Sequence, residues 1–588
     1  MANLLMLLLI RSSDKRRASR RRIVEGLPRE APSTDAIFIV LRRIRFPLVV
    51  FVCVFAVATF GMSMMPGQDE AGNATRLSPF DSFYFIMYTA TTIGYGEIVP
   101  LTTPQRMWLT ATIFALVVCW AVMIATTVSM LQDEMFLEAW ATQRFRRKVA
   151  RLNEGFVILT GYGQTGKQVA QELDRVGRRL VVLDHQQRRI DRLGVDQLHA
   201  DAPGLAADAA QPGVLGLAGL GSKHCGGILA LTNDDDTNLA VVMAARLLRP
   251  ELPVIARCHH RGTIDRMRDF GAEAVINPSD RYGTYLVLAL HQPQTYRLVT
   301  WLMAGPGVPL PGSPAYLADG SWVVAADGDF ADEVSADLRS AGLTVDVVDP
   351  RRGHPVVGDA VGFVAGTDSD TFNLALAEHA RLQREDLFVV IRQKSSGNRA
   401  LIEALGVDAT YIPTDVVANE ALARVITPVF WSFVEYAALQ EERWSEELLH
   451  RIVERCGTYG PHRMVVTIDA RRAPAIHRWL ARQRITLAEL LREPDDRDAT
   501  LRIVPLLLVR DGETTFAPDE DMELRRGDQI LCAGRRSSLG LLHQNLDYDS
   551  VVEYLVTGRD VPDTFLWRVM SGRRTTPYEA NKATRRSR

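Results

Sequence analysis

The sequence has few of the residues that build a protein held together by disulfides or by structural zinc. Its 588 residues include six cysteines, and no two of them form a Cys-x-x-Cys pair. Disulfide frameworks and structural zinc sites depend on paired or suitably spaced ligands. His259 and His260 follow Cys258 directly, and adjacent residues rarely share one metal. We therefore expect reduced thiols with packing roles, in a protein whose bulk faces the cytosol.

The chain also lacks an excess of charge of one sign. Its formal net charge is −2, which gives no global attraction to nucleic acid. The basic residues are nevertheless clustered, in a run at 15–22 and at Arg42, Arg43, Arg45, Arg144, Arg146, Arg147 and Lys148. No RNA- or DNA-binding module accompanies these clusters. We predict that nucleic acid is not a partner.

Two long segments, 46–65 and 107–131, contain no charged residue. Twenty residues at a rise of about 1.5 Å cover about 30 Å, the thickness of the hydrocarbon core of a bilayer. Basic residues precede the first segment and follow the second. They place the start of the first segment and the end of the second in the cytoplasm. The sequence thus predicts a multi-pass protein of the cell (inner) membrane, in contact with the lipid bilayer, whose N- and C-termini are cytoplasmic.

A short helix followed by a glycine-containing segment lies between the two spans. Ser78 and Pro79 are typical of a helix start, and they predict a helix over 79–90. The next seven residues are Thr91-Thr92-Ile93-Gly94-Tyr95-Gly96-Glu97. The two glycines allow backbone conformations that turn successive carbonyls to one side. Four copies around an axis would form oxygen rings that replace the water around a cation.

Thr92-Ile93-Gly94-Tyr95-Gly96 resembles the selectivity filter of potassium channels, with Ile for the usual Val and with Glu97 for the usual Asp. The resemblance implies a homotetramer with filter residues 91–97. It implies that K⁺ binds to the backbone carbonyls of Thr92, Ile93, Gly94 and Tyr95. The family often has a hinge glycine in the second span, but no glycine occurs between Gly96 and Gly155. A glycine-hinged gate is therefore not expected.

A dinucleotide-binding pattern follows the second span. The apolar run 156–160 leads into Gly161-Tyr162-Gly163-Gln164-Thr165-Gly166 and a helical pattern, and Asp184 ends a second apolar run 18 residues after Gly166. Such glycines let a pyrophosphate approach a helix N-terminus, and the acid accepts hydrogen bonds from a ribose. An acid at 184 disfavours a 2′-phosphate. The pattern predicts NAD(H) or an adenine nucleotide; the alternative is a Rossmann fold without a ligand.

Residues 150–290 resemble the RCK (regulator of potassium conductance, TrkA-N-like) domain. The resemblance rests on the glycine loop, Asp184, a predicted strand end at 199–201, the segments 232–238 and 255–257, and the stretch from Gly271 to Pro278. It implies that Asp201, Thr232 and Asn233 line the nucleotide crevice. An alternative for the consecutive Asp234, Asp235 and Asp236 is Ca²⁺ binding, since this cation takes several oxygens.

A degraded second copy of this domain follows. Thr232, Asp235, Asn238, Arg257, Gly271 and Pro278 recur, each 135 residues later, at Thr367, Asp370, Asn373, Arg392, Gly406 and Pro413. Such regular spacing indicates a tandem duplication. Ala326 and Ala331 replace two loop glycines, and Asp327 and Asp329 would repel a pyrophosphate. The second copy is also too short for one helix and for a neighbouring strand. We predict that it works in assembly and does not bind a dinucleotide; a cation at Asp327 and Asp329 is the alternative.

The predicted fold is multi-domain: an all-α, two-helix transmembrane pore domain, α/β Rossmann-like tandem RCK domains and a small α/β C-terminal lobe resembling TrkA-C. The predicted boundaries are a basic tail 1–36, the pore domain 37–135, the first RCK domain with its crossover helix 136–295, the degenerate second one 296–445, the lobe 446–560 and a basic tail 561–588. A helix within 415–445, broken at Pro428, is expected to cross to a neighbouring subunit.

These parts together predict a ligand-gated, potassium-selective channel in which a nucleotide on a cytoplasmic ring controls the pore. The alternatives are a Ca²⁺-gated channel, a non-selective cation channel and a membrane-anchored NAD-dependent oxidoreductase. The oxidoreductase lacks a clear hydride-transfer dyad and has no use for the filter segment, so no enzymatic activity is expected. Whether ligand opens or closes the pore stays open.

Overall fold

The computed structural model describes residues 34–68, 73–312, 320–353, 355–394 and 396–559. The predicted C-terminal tail and all but the last residues of the predicted N-terminal tail lie outside these ranges.

Three helices form the predicted membrane part: α1 Thr34–Met64, α2 Pro79–Ala90 and α3 Thr103–Leu131. Within them Ile44–Met64 and Thr103–Ser129 are long and apolar enough to cross a membrane. The first helix begins well before residue 46 and continues through Pro47, and the third begins at Thr103 instead of 107. Pro104 lies in the first turn of α3, where its missing N–H removes no helical hydrogen bond. A two-residue pairing, β1 Gly67–Gln68 with β2 Ala74–Thr75, lies between α1 and α2.

Helix α4, Glu134–Ala150, begins three residues after α3 ends and leads into the first α/β domain. Its Phe145 and Val149 are buried in the same apolar cluster as Phe156 and Leu220. The helix that leaves the membrane part is therefore packed into the core of the first domain.

The first α/β domain is built on six parallel strands in the order β5-β4-β3-β6-β7-β8. The strands are β3 Phe156–Thr160, β4 Arg179–Asp184, β5 Gly204–Ala206, β6 Cys225–Ala230, β7 Val254–Arg257 and β8 Ala274–Ile276. The helices are α5 Gln164–Arg175, α6 Gln187–Val195, α7 Pro212–Leu217, α8 Asp235–Leu248, α9 Arg261–Asp269, α10 Pro278–His291 and α11 Pro293–Ala304. The continuous apolar strands are buried on both faces, as expected for a parallel sheet.

The second α/β domain has five parallel strands in the order β10-β9-β11-β12-β13. The strands are β9 Ser321–Ala325, β10 Thr344–Val348, β11 Gly362–Ala365, β12 Phe388–Arg392 and β13 Ala409–Tyr411. The helices are α12 Gly328–Ser340, α13 Asp370–Gln383, α14 Arg399–Leu405, α15 Pro413–Ile426 and α16 Pro428–Ala437, with 3₁₀ turns at Pro350–Arg352 and Ser396–Asn398. In the described residues only the turn at 350–352 separates β10 from β11, so the counterparts of α6 and β5 are missing, as predicted.

One helix of each α/β domain packs on a helix of the other domain. Helix α10 of the first packs on α12 of the second, and α15 of the second packs on α5 of the first. Val417 and Ala418 of α15 are buried against Val169 and Leu173 of α5. This apolar face of α15 is therefore covered within its own chain. The crossing of the helix within 415–445 to a neighbouring subunit stays a prediction. The predicted break is confirmed: α15 ends at Ile426 and α16 begins at Pro428.

The C-terminal lobe contains a four-stranded antiparallel sheet in the order β14-β19-β17-β18. Its strands, with the short pair β15 and β16, are β14 His462–Thr467, β15 Arg492–Glu493, β16 Asp496–Thr500, β17 Ile503–Arg510, β18 Glu513–Phe516 and β19 Gln529–Gly534. Its helices are α17 Glu442–Cys456, α18 Pro474–Trp479, α19 Leu487–Leu490, α20 Arg536–Asp547 and α21 Asp549–Thr557. The predicted fold class is confirmed.

Candidate functional site

The short helix α2 has the cap that the sequence predicts. The Ser78 hydroxyl accepts a hydrogen bond from the Asp81 N–H at 3.0 Å and donates to the Asp81 carboxylate at 2.7 Å. Pro79 occupies the first helical position. The helix ends at Ala90, so its partially negative carboxyl end faces the segment that follows.

The filter segment has an alternating backbone. Thr92, Gly94 and Gly96 have positive φ values of 61°, 64° and 78°, and Ile93 and Tyr95 between them do not. A backbone that alternates in this way allows successive carbonyls to face one side of the chain, which for this segment stays a prediction. Glycine adopts a positive φ at little cost, whereas Thr92 is held there against its preference. The Tyr88 carbonyl accepts hydrogen bonds from the N–H groups of Ile93 and Gly94.

Two tyrosines of α2 support the filter from behind. The Tyr88 hydroxyl donates to the Ile98 carbonyl at 2.5 Å, and its ring lies edge-on to that of Tyr95. The Tyr84 hydroxyl donates to Glu97 Oε2 at 3.3 Å. Glu97 is thus linked to α2.

The other side of the filter is uncovered in a single chain. Ile93 and Tyr95 are 57% and 61% exposed, and no atom lies within 4 Å of where a side chain would start on Gly94 or Gly96. Irregular backbone at membrane depth is tolerated only when protein buries it or when it lines a water-filled path. The open side therefore needs other chains or water against it.

The glycine loop of the first domain has a separate geometric reason for each glycine. Gly161 has φ 92° and lies against the backbone of Thr232. A methyl group on Gly166 would overlap the Gly161 carbonyl oxygen, so only glycine lets α5 pack this close to β3. Gly163 precedes α5, and its open side meets only Arg189 within 4 Å. The approach to the N-terminus of α5 is therefore clear.

One buried hydroxyl in this loop has no partner in the described part of the chain. Thr165 is 3% exposed, and its Oγ1 makes no hydrogen bond there. With the open side of Gly163, this leaves one unpaired hydroxyl and free space at a helix N-terminus, which fits a phosphate.

Asp184 closes the loop from the end of β4. It is 2% exposed, and its oxygens accept hydrogen bonds from the N–H groups of Tyr162 at 2.6 Å and Gln186 at 2.8 Å. Arg189 donates to the same carboxylate at 3.2 Å. Asp184 thus orders the loop directly, and its contact with a ribose stays a prediction. Arg189 was not among the predicted site residues, although a basic residue five positions after Asp184 could have indicated a cation beside the glycine loop.

A second carboxylate ties the loop to helix α6. Asp196 accepts hydrogen bonds from the Tyr162 hydroxyl at 2.9 Å and from Lys167 at 2.5 Å. Burial acts to raise the pKa of Asp196, but Lys167 and Tyr162 outweigh it and hold the pKa below its ordinary value. Burial raises the pKa of Tyr162, so its hydroxyl stays protonated.

Thr232 and Asn233 reach the same edge of the sheet, beyond the end of β6. Thr232 donates to Asn238 Oδ1 from its N–H and from its hydroxyl. Asn233 accepts a 2.8 Å hydrogen bond from Arg257, which is 9% exposed. The structure thus brings the glycine loop, Asp184, Thr232 and Asn233 together, with Arg257 as a cation that the site prediction had left out.

The prediction for Asp201 is wrong. We expected 199–201 to end a strand, but the strand β5 begins only at Gly204. Asp201 therefore precedes the amino end of a parallel strand, opposite the edge that carries the crevice. Its side chain is 71% exposed and pairs with Lys148 of α4 at 2.7 Å.

The three consecutive aspartates do not converge on a common point. Asp234 accepts from the Thr237 N–H and caps α8. Asp235 accepts from the N–H groups of His259 and His260; burial acts to raise its pKa, but these hydrogen bonds outweigh it and lower the pKa. Asp236 is exposed. Among the residues described, no group of three or more His, Cys, Asp or Glu side chains could hold a metal. The calcium alternative at 234–236 has no support here.

The corresponding crevice of the second domain is filled. Phe330 stands where the first loop has Thr165; it is 4% exposed and stacks on Tyr411 with 5.4 Å between ring centroids. The Arg392 guanidinium lies 5.0 Å from the centroid of the Phe330 ring. Asp327 pairs with Arg351, and Asp329 lies 3.1 Å from His260. Aromatic packing and paired acids occupy the place of a nucleotide, and the cation alternative is not supported.

Comparison with known families agrees with this geometry. The ion channel family model matches residues 48–133, which include nearly all of the first predicted span, all of the second and the predicted filter. The TrkA-N domain model matches residues 157–278, which include the six-stranded sheet of the first α/β domain except for Phe156.

Several curated proteins are similar over part of their length. Potassium channel protein 1 of Methanocaldococcus jannaschii is 24% identical over 202 residues, which are 34% of this chain and 58% of that protein. The voltage-gated potassium channel Kch of Escherichia coli is 21% identical over 235 residues, 40% of this chain and 54% of Kch. An uncharacterized protein of Methanothermus fervidus is 28% identical over 219 residues, 37% of this chain and 33% of that protein. The chain thus spans between a third and three fifths of the length of these relatives.

A solved structure of the GsuK channel bound to NAD aligns with 87% of this chain and 99% of its own, at 14% identity and a TM-score of 0.40, which is too low to support an inference. The family matches do not depend on it. They place an ion channel segment directly before a TrkA-N domain, and they support the recognition of this chain as a potassium channel with RCK domains.

Proposed function

We propose that four copies of this chain form a potassium-selective channel whose opening depends on a nucleotide bound to the first RCK domain. The observation that carries the proposal is the alternating backbone of Thr92, Gly94 and Gly96 between two helices long enough to cross a membrane. Carbonyl rings from four such segments would replace the hydration shell of K⁺.

The uncovered faces of a single chain support assembly. The filter side chains are exposed, and so are large apolar residues of the two long helices, such as Phe60, Phe114 and Val118. Lipid or neighbouring copies would cover these helices, and neighbouring copies would face the filter. We place both termini in the cytoplasm on the basis of the flanking arginines, and we keep the predicted domain boundaries.

The nucleotide is proposed from the first glycine loop. At the start of α5 the Thr165 hydroxyl has no hydrogen-bond partner among the described residues, Gly163 has an open side, and Arg189 lies beside Gly163 as a cation. This arrangement suits the phosphates of NAD(H) or of an adenine nucleotide.

Coupling to the pore would run through α4. This helix starts three residues after the pore-lining helix ends and is buried in the first domain at Phe145 and Val149. A ligand that favours one arrangement of the first domain would therefore shift the inner end of α3.

The pore is tested by reversal potentials of the purified protein in planar bilayers with mixed K⁺ and Na⁺. We expect a reversal potential close to that of K⁺, and its loss in Gly94→Ala, because alanine resists the left-handed backbone. Gly155→Ala is the matched control, since Gly155 has no close neighbour and no positive φ. Equal permeability of K⁺ and Na⁺ in the natural protein would establish the non-selective alternative instead.

Nucleotide control is tested by single-channel recording with NAD⁺, NADH, ADP and ATP, each alone. A change of open probability with at least one of them is expected, and mass spectrometry of ligand retained by the purified protein identifies the native one. If none alters the open probability and none is retained, the gating half of the proposal fails while the pore half stands.

A further inference from the structure

The interface between α10 of the first RCK domain and α12 of the second contains three carboxylates. Glu333 and Asp337 lie on α12, and Asp280 lies in the first turn of α10. Glu333 is 5% exposed and Asp337 is 8% exposed. Buried acids on two packed helices are costly when ionised unless cations or hydrogen bonds compensate them.

In the described part of the chain, the cation that hydrogen-bonds to this cluster is Arg261, which bonds to Glu333, while Arg281 interacts with the charge of Asp280 and pairs with Glu420. Arg261, at the start of α9, donates from Nε to both Glu333 oxygens at 2.7 Å. The Oδ2 atom of Asp337 is buried and has no hydrogen-bond partner among the described residues. It lies against Gly283 of α10, where a methyl group would overlap it. The carboxyl group is therefore pressed into the helix pair without a partner.

The pseudo-equivalent interface is built differently. Where α15 packs on α5, the facing residues include Val169, Leu173, Val417 and Ala418 in an apolar cluster. Asp415 of α15, which corresponds to Asp280, is hydrogen-bonded by Gln168. Gln168 stands in the loop-helix position that Glu333 occupies in the second copy. One of two related contacts between the domains has thus become acidic.

We propose that the α10–α12 contact is a proton-linked joint between the two RCK domains, which is tight when Asp337 is protonated and weakened when Asp337 ionises.

The charges around Asp337 agree in direction with this role. Burial, with the negative charges of Asp280 and Glu333, raises the pKa of Asp337 to about 7, and Arg261 opposes them. The ordinary value is 3.8. The packed state therefore holds a proton that a separated state releases. The contact is fully favoured below pH of about 4, weakens as pH rises toward about 7 and changes little above that, by at most about tenfold per pH unit.

A second proton-binding contact, His260 with Asp329, lies at the same interface. The proposed joint at Asp337 does not depend on the His260–Asp329 contact. The test must therefore distinguish the pH dependence of the joint from that of the His260–Asp329 contact. Substitution of Asp337 alone leaves His260, Asp329 and the Arg261–Glu333 pair in place.

The test is hydrogen exchange of the full-length protein in lipid nanodiscs between pH 5.5 and 8, corrected for intrinsic exchange. Protection of 278–291 and 328–340 is divided by that of the buried strands 156–160 and 362–365. We expect the ratio to fall severalfold from pH 5.5 to 7.5 in the natural protein. The protection ratio should not change with pH in Asp337→Asn, because the amide does not ionise. Asp415→Asn, in the related interface, should behave like the natural protein.

A second variant keeps the proposal testable if Asp337→Asn does not fold. Glu333→Gln removes a neighbouring negative charge and frees Arg261 for Asp337, so the fall in protection should level off at a lower pH than in the natural protein. A ratio independent of pH in the natural protein overturns the proposal. An unchanged profile in either Asp337→Asn or Glu333→Gln also overturns it. None of these outcomes bears on ion selectivity or on nucleotide binding.

Discussion

The two RCK domains of this chain share one hydrogen-bonding framework around different loops. In the first, Asn238 joins the N–H of Thr232 to the carbonyl of Arg257. In the second, Asn373 joins Thr367 to Arg392 in the same way. These bonds connect the ends of adjacent parallel strands in each domain. The framework has survived the duplication although the ligand crevice of the second copy has not.

The two domains differ in the residues that face the crevice. The first loop keeps three glycines and an unpartnered Thr165 hydroxyl. In the second, Ala331 and Phe330 fill the space, and Gly366 makes room for the Phe330 ring. The comparison shows that buried polar groups that hold strands together are constrained by the fold itself. The loop residues, by contrast, differ between the two domains.

The largest effect that separates the two domains is expected for Gly166→Ala. The methyl group would overlap the Gly161 carbonyl, and such overpacking should destabilise the first domain by about 3 kcal/mol. The reverse change, Ala331→Gly, should cost the second domain only about 1 kcal/mol. Hydrogen exchange of strand 156–160 measures the loss of stability in the first domain, and that of strand 321–325 measures the loss in the second. Equal costs would show that the loops are packed alike.

Asn238→Ala and Asn373→Ala test what the domains share. Each change leaves a buried threonine N–H and an arginine carbonyl without a partner, so each should cost its own domain about 2 kcal/mol. Both asparagines are fully buried, which makes the pair well matched. The same exchange measurement applies. A difference of more than about 1 kcal/mol between the two costs would mean that the shared hydrogen bonds contribute unequally to the stability of the two domains.

The acids that follow the second strand of each domain should differ. Asp184→Asn disturbs buried hydrogen bonds to the glycine loop and should cost about 1.5 kcal/mol. Asp349 accepts from the Arg351 N–H on an exposed turn, so Asp349→Asn should cost about 0.5 kcal/mol or less. Chemical denaturation followed by domain-resolved exchange compares them. A larger cost at Asp349 would contradict the assignment of the second loop as vestigial.

The smallest change copies one acid of the second loop into the first. Gln164→Asp places a carboxylate at the start of α5, as Asp329 does in α12. Repulsion should weaken nucleotide binding about tenfold, or ~1.4 kcal/mol, while stability rises slightly because the helix N-terminus favours an anion. Isothermal titration with NADH or ADP measures the affinity, and Gln164→Asn is the neutral control. An unaltered affinity would place the phosphates away from this helix.

Local signals in the sequence were reliable for elements with short-range determinants. The bounds of the pore helix follow from Ser78 and Pro79, and the break at Pro428 follows from the missing N–H of proline. The shortness of the second copy predicted its missing helix and strand. The start of the first membrane helix was missed because uniform composition does not mark where a helix begins. Asp201 was misplaced because β5 is only three residues long and starts later than expected.

What the sequence determined by itself is the set of parts: two apolar helices, the glycine-containing segment between them, a glycine loop that begins the first α/β domain, and a degraded second copy of that loop. Each follows from residue order within a few turns of chain, because periodicity, glycine and proline act locally. Only the tertiary structure decided which surfaces meet. It placed Phe330 in the second crevice, Arg189 beside Gly163 and Asp337 without a partner against Gly283. These contacts join residues far apart in the chain, and their energies come from burial and packing, which no local pattern encodes.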